Sequence, residues 1–190
     1  LQARGAPLRD VFARHPFDAA PILFAFAALA RAGASDPVLW VQDRMARREG
    51  GRLCEAGLRR ATGFRAPLLR VEVSHPRDLL WAMEEGAGAT ALSGVVGEVH
   101  GDPAVLDFTA TKRLVLRAER SGVPVWLLRA GARDRGLSAA RERWCLASVA
   151  SATLDDARAA LDAAEAAFAD WAGRMPRQRS EVLRKAWELM

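Results

Sequence analysis

Apolar residues recur in two rhythms along this chain: short unbroken runs, and stripes spaced by three or four positions. Four runs, Val38 to Gln42, Leu68 to Ser74, Ala91 to Val99 and Val123 to Arg129, are short and mostly apolar, the pattern of strands buried on both faces. The stretches between them suit helices, over about Gly51 to Thr62, Pro76 to Glu85 and Pro103 to Arg120. The last of these carries Leu106, Ala110, Leu114 and Ala118 at intervals of four. A further helix, about Asp18 to Ala32, is predicted ahead of the first strand, and Arg143 to Val149 is predicted to add a final one. Strands alternating with helices imply βαβ crossovers. The expected fold is therefore α/β, a three-layer arrangement whose mostly parallel sheet is covered on both sides.

The rhythm changes after Ala150. Thr153 and Asp156 form a TxxD capping box, and Leu154, Ala157, Leu161, Ala164, Phe168 and Trp171 follow at alternating steps of three and four. That is a narrow apolar stripe on one helix. A turn over Gly173 to Pro176 leads to a second arm, Ser180 to Met190. The predicted organisation is an α/β domain over 1–150 and a C-terminal helical hairpin over 151–190.

Composition adds boundaries to this picture. With 190 residues and 51% apolar content, the chain can build a continuous core for one domain plus an appendage. Its longest apolar stretch, Ala19 to Ala30, is interrupted by Pro21 and falls well short of the roughly 20 residues that cross a bilayer, so no membrane span is expected. The chain opens on Leu1 without a basic stretch leading into an apolar one, and reads as an internal fragment rather than an export signal. Cys54 and Cys145 lie far apart, as do His15, His75 and His100. Neither a disulfide framework nor a zinc site is suggested, and a reducing cytoplasm fits best. Net charge is +5; the tail holds 6 basic and 7 acidic residues, so the excess belongs to the α/β region and favours phosphate-bearing partners.

Several runs, in order, carry a family resemblance: VLWVQ at 38–42, EGGRL at 49–53, HPRDLLWAMEEG at 75–86, LSGVVGEVHG at 92–101, LDFTATKRLVLRAERSGVPVWLLR at 106–129 and SAARERW at 138–144. Over about residues 16–150 the chain resembles the ImuA family of RecA- and SulA-related mutagenesis proteins. The resemblance implies a RecA-like sheet and a role in damage-induced (SOS) mutagenesis and translesion synthesis. The partners it implies are an ImuB-like polymerase relative, an error-prone polymerase and RecA, with DNA as a further candidate. The tail, from 149 to 190, is similar instead to the N-terminal helical region of NAD-dependent aldehyde dehydrogenases of the succinate-semialdehyde type. ALDAAEAAF, PRQRSEVLRKA and ELM carry that likeness. A dehydrogenase would continue through a nucleotide site, a catalytic cysteine and a general-base glutamate, so the tail is expected to supply packing surface, with a join near residues 147–152.

Catalysis of the RecA type needs a GxxxxGK[ST] loop, in which backbone amides and one lysine hold the triphosphate. The chain has no such loop, and its two lysines, Lys112 and Lys185, follow no glycine-rich turn. The βα unit that would carry the loop is expected before or at Leu1, which leaves an ATPase with an upstream loop as one alternative and an inactive dehydrogenase fragment as another. Where the resemblance places a water-orienting glutamate, the chain has Gln42, Asp43 and Arg44. Where it places a magnesium-associated aspartate, the strand runs into Gly97 and Glu98. A slip of one residue would turn the Glu98 carboxylate to the wrong face. In place of a polar sensor stand Arg129 and Ala130. The expectation is a protein without enzymatic activity, cofactor or metal.

Arg44, Arg47, Arg48 and Arg52 cluster beyond the first predicted strand, at the edge where open α/β sheets bind ligands. They would contact DNA phosphate or an acidic partner, or form a solvated loop. Lys112, Arg113, Arg117 and Arg120 share much of one helix face with the same choice open. Glu84 and Glu85 adjoin and diverge, which excludes a paired-carboxylate site. His100 and Asp102 flank Gly101 at a strand end and read as a turn. Trp40, Trp81, Trp126 and Trp144 sit in apolar runs and are expected in the core, with Cys54 and Cys145 as small apolar fillers.

Overall fold

The computed structural model describes residues 8–13, 15, 18–132, 136–146 and 154–188. The chain divides into two units, Leu1–Ser148 and Val149–Met190. In the first, the elements run β1 (Leu8–Ala13), α1 (Ala20–Arg31), β2 (Val38–Asp43), α2 (Arg44–Gly50), α3 (Glu55–Thr62), β3 (Leu68–Val73), α4 (Pro76–Gly88), β4 (Gly94–His100), α5 (Phe108–Ser121), β5 (Val125–Ala130) and β6 (Glu142–Leu146). The six strands form one sheet in the order β3-β2-β4-β5-β1-β6, and every pairing is parallel. This is the three-layer α/β arrangement expected from the alternation of runs and stripes, and it is consistent with the RecA-like sheet that the resemblance implied.

Strand periodicity sorts the core into two layers. Leu39, Val41, Val95, Val99, Val125 and Leu127 pack against α4 and α5, whereas Val38, Trp40, Val96, Trp126 and Leu128 pack on the opposite face with Phe26 of α1 and Leu58 of α3. Both faces of β2, β4 and β5 are thus covered, which explains their mostly apolar runs. Glycines set the spacing on the first face. A Cβ on Gly97 would lie 2.1 Å from Met83 Sδ, and one on Gly86 would lie 2.5 Å from Leu39 Cδ2, so α4 seats against β4 and β2 only because both side chains are missing.

A strand, β1, precedes α1 and lies inside the sheet between β5 and β6, so a βα unit ahead of β2 is present within the chain after all. The helix expected over 51–62 begins only at Glu55, as α3, and a separate short helix that the sequence reading did not anticipate, α2, ends before Gly51, which sits at φ +85°, a conformation that only glycine adopts without strain. The helix expected from Pro103 starts at Phe108, because Asp107 caps it by accepting from the Ala110 amide at 2.7 Å. β3 is not buried on both faces; as an edge strand it exposes Leu69, Arg70 and Glu72. Trp40 and Trp126 are core residues, but Trp81 and Trp144 are exposed, and so are both cysteines.

In the second unit, two helices, α6 (Leu154–Gly173) and α7 (Pro176–Glu188), follow one another across residues 174–175, with α7 starting four residues earlier than the sequence suggested. Arg174 binds Asp170 at 2.6 Å, and the Gln178 side chain accepts from the Met175 amide at 3.1 Å. Leu161, Phe168, Val182 and Leu183 are all exposed. Thr153 of the predicted capping box and the predicted join near 147–152 lie outside the described residues. Among the described residues, no helix is long and apolar enough to cross a membrane.

Candidate functional site at the carboxyl edge of the sheet

In a parallel sheet the crevice opens where neighbouring strands send their connections in opposite directions. β2 leads to β3 on one side and β4 leads to β5 on the other, so the crevice lies between the carboxyl ends of β2 and β4. Four polar residues converge there. The Gln42 side-chain amide donates to Glu98 Oε2 at 2.7 Å and to the Gly51 carbonyl at 2.9 Å. Asp43 accepts from the Ala46 amide at 2.7 Å through Oδ1 and from the His100 amide at 3.1 Å through Oδ2. It is therefore the N-cap of α2 and a tie between β2 and β4, with both oxygens committed to backbone.

Glu98 is only 6% exposed. Burial pushes its carboxyl up to about 7, with the Gln42 hydrogen bond opposing the rise and the Asp43 charge adding to it. Its neighbour Gly97 faces Met83 and has no room for any side chain, because the thioether of α4 fills the space beside it. Glu98 points to the other face with Gln42, as the period of two requires. His100 Nδ1 is buried and has no hydrogen-bond partner, while Gly101, at φ +68°, turns the chain out of β4.

A second buried charge system joins β1 to β5. Arg129 donates to both oxygens of Asp10, from Nε and from a terminal nitrogen, each at 2.9 Å. Asp10 is fully buried and Arg129 nearly so. Ser138 also bonds the carboxylate, Arg143 lies 3.8 Å away, and the Phe12 ring has both guanidiniums within 5.1 Å of its centroid. Burial raises the Asp10 carboxyl and the arginines oppose the rise. Arg129, read from the sequence as a lost sensor, is thus one half of a buried ion pair; Asp10 was missed altogether. The signal was a carboxylate within LRDVFA, where Arg9 is the other charged residue, and a guanidinium as the one charge within VWLLRA.

At the β1–α1 connection, residues 14–19 read RHPFDA, with neither glycine nor lysine. The Asp18 carboxylate accepts from the Ala20 amide at 2.9 Å, so a negative group of the protein itself sits at the helix start that would receive a phosphate.

The four arginines of the sequence reading fall on and just after α2, but they are not equivalent. Arg47 pairs with Glu72 at the end of β3, and Arg52 lies 3.5 Å from the same carboxylate. Arg44 and Arg48 are exposed and make no ion pair among the described residues. On the other side of the sheet, Arg113 and Arg117 bind Glu84 and Glu85 across the α4–α5 interface, so half of the second basic group serves as interhelical ties. His15 and His75 lie in turns apart from this site.

No family model matches the chain. One curated relative, the succinate-semialdehyde dehydrogenase of Paenarthrobacter nicotinovorans, is 56% identical over 45 residues. That segment makes up 24% of this chain and 10% of the dehydrogenase, about the length of the C-terminal helical unit. The chain thus spans about a tenth of the relative it matches.

Proposed function

We propose that this protein is a non-catalytic, cytoplasmic RecA-like accessory factor in SOS-induced, error-prone DNA repair and translesion synthesis. It holds an ImuB-like polymerase relative, an error-prone polymerase and RecA, and uses Arg44 and Arg48 on DNA phosphate or an acidic partner surface. The observation that carries this reading is a carboxyl edge already occupied by the protein's own groups. Asp18 stands at the α1 start, both oxygens of Asp43 are spent on amides, Met83 fills the space beside Gly97, and Glu98 is held by Gln42. An ATPase needs these positions open for phosphate, magnesium and water. The order of motifs over residues 38–144 supplies the repair context, and the hairpin adds packing surface without dehydrogenase chemistry.

Capture experiments test it. Immobilised full-length chain is expected to retain both the ImuB-like protein and RecA, and Arg44→Glu with Arg48→Glu is expected to weaken retention of at least one of them or of single-stranded DNA. If DNA is the ligand, losing two phosphate contacts reduces the salt slope by roughly 1.4. Failure to retain either protein, with the fold intact, would remove the repair reading.

A further inference from the structure

Between α4 and α5 lies a cleft of about 550 Å³ that has no role in the carboxyl-edge chemistry. Arg77, Trp81 and Glu84 occupy one stripe of α4, at steps of four and three, and Val105 and Asp107 face them from the segment entering α5. Trp81 is 65% exposed, an unusual position for the largest apolar side chain. Glu84, one turn further along, is only 7% exposed. Its Oε2 accepts from Arg113 at 2.6 Å, but its Oε1 is buried without a hydrogen-bond partner. A buried carboxylate oxygen that lacks a donor is rare in folded proteins and marks a place where a donor belongs.

We propose that this cleft docks a segment of a partner protein that carries an arginine or lysine next to an apolar side chain. The apolar group would cover Trp81 and Val105, and the cation would lie over the indole face, with the Glu84 side chain turning so that its buried Oε1 accepts from it. Charge selects the occupant. Asp78, Glu84 and Asp107 line the cleft against Arg77 and Arg113, and Arg113 is already engaged by Glu84, so acidic groups are in excess by one and a cationic ligand is favoured over a phosphate-bearing one. An exposed aromatic beside a desolvated charge is also the composition of interface hot spots. The inference does not rest on the repair reading, and its probes are peptides rather than repair proteins, so either can fail alone.

The test is selection of a random peptide display library on immobilised full-length chain, followed by affinity measurements on synthesised winners. Enriched peptides are expected to share a basic residue adjacent to Leu, Phe or Trp. Their affinity should fall about tenfold or more with Trp81→Ala, with Glu84→Gln, and when citrulline replaces the peptide's arginine, but not with Arg60→Ala on α3. Should Glu84→Gln lower the unfolding midpoint by loosening Arg113, the exposed Trp81 variant and the citrulline peptide carry the test. The proposal is overturned by peptides lacking a basic residue, by no enrichment, or by binding indifferent to Trp81→Ala. Spermidine competing as well as the peptides would overturn it too, as would self-association of the chain abolished by the same variants, which would name a second copy as the occupant.

Discussion

Arg129→Met is expected to destabilise the α/β unit by about 3–5 kcal/mol, because it leaves the Asp10 carboxylate buried without its bidentate partner. Arg143, at 3.8 Å, is too distant to replace two hydrogen bonds at 2.9 Å. The pair itself is a different matter, since taking both charges out of water offsets much of their attraction. The double variant Asp10→Leu with Arg129→Met should therefore recover most of the loss. Urea unfolding of the full chain, followed by circular dichroism, measures both. A single variant that costs under about 1 kcal/mol would show that the carboxylate finds water or another donor, and would remove the buried pair from the account.

The second large effect lies in Glu98. Its carboxyl titrates at about 7 in the folded chain against 4.5 as the ordinary value. Between those values the folded protein keeps a proton that the unfolded chain has released, so stability falls as pH rises from about 4.5 to about 7 and is level above. The total is roughly 3 kcal/mol. Glu98→Gln keeps an acceptor for Gln42 and removes the charge. It should be more stable than the parent at pH 8 by an amount of that order, while the two converge near pH 4. Unfolding midpoints across pH 4–8 decide this; curves that stay parallel would mean that the crevice is wet and the carboxylate unperturbed.

Much of the architecture was legible because it depends on burial. β2, β4 and β5 are covered on both faces and therefore mostly apolar runs, and α5 shows its four-residue stripe because only one side of it meets the sheet. β1 escaped because Arg9 and Asp10 interrupt its run, and both find partners that only the tertiary structure supplies: Glu142 for Arg9, Arg129 for Asp10. Trp81 misled for the opposite reason, since an apolar neighbourhood in sequence says nothing about which side of a helix a residue takes. At the site, the one-residue displacement of Glu98 was visible in the alternation of the strand, but the reason that Gly97 is empty was not. It required the position of Met83, fourteen residues earlier on α4. The arginine cluster likewise looked uniform until Glu72, on a strand that pairs with β2, divided it into two bound members and two without an ion pair among the described residues.

The proposal that a RecA-like sheet here serves binding without nucleotide cleavage is tested most directly by turnover. Full-length chain with ATP and magnesium, alone and with single-stranded DNA, is predicted to release phosphate at the rate of a protein-free control. Saturable release that Asp43→Asn or Glu98→Gln abolishes would contradict the account.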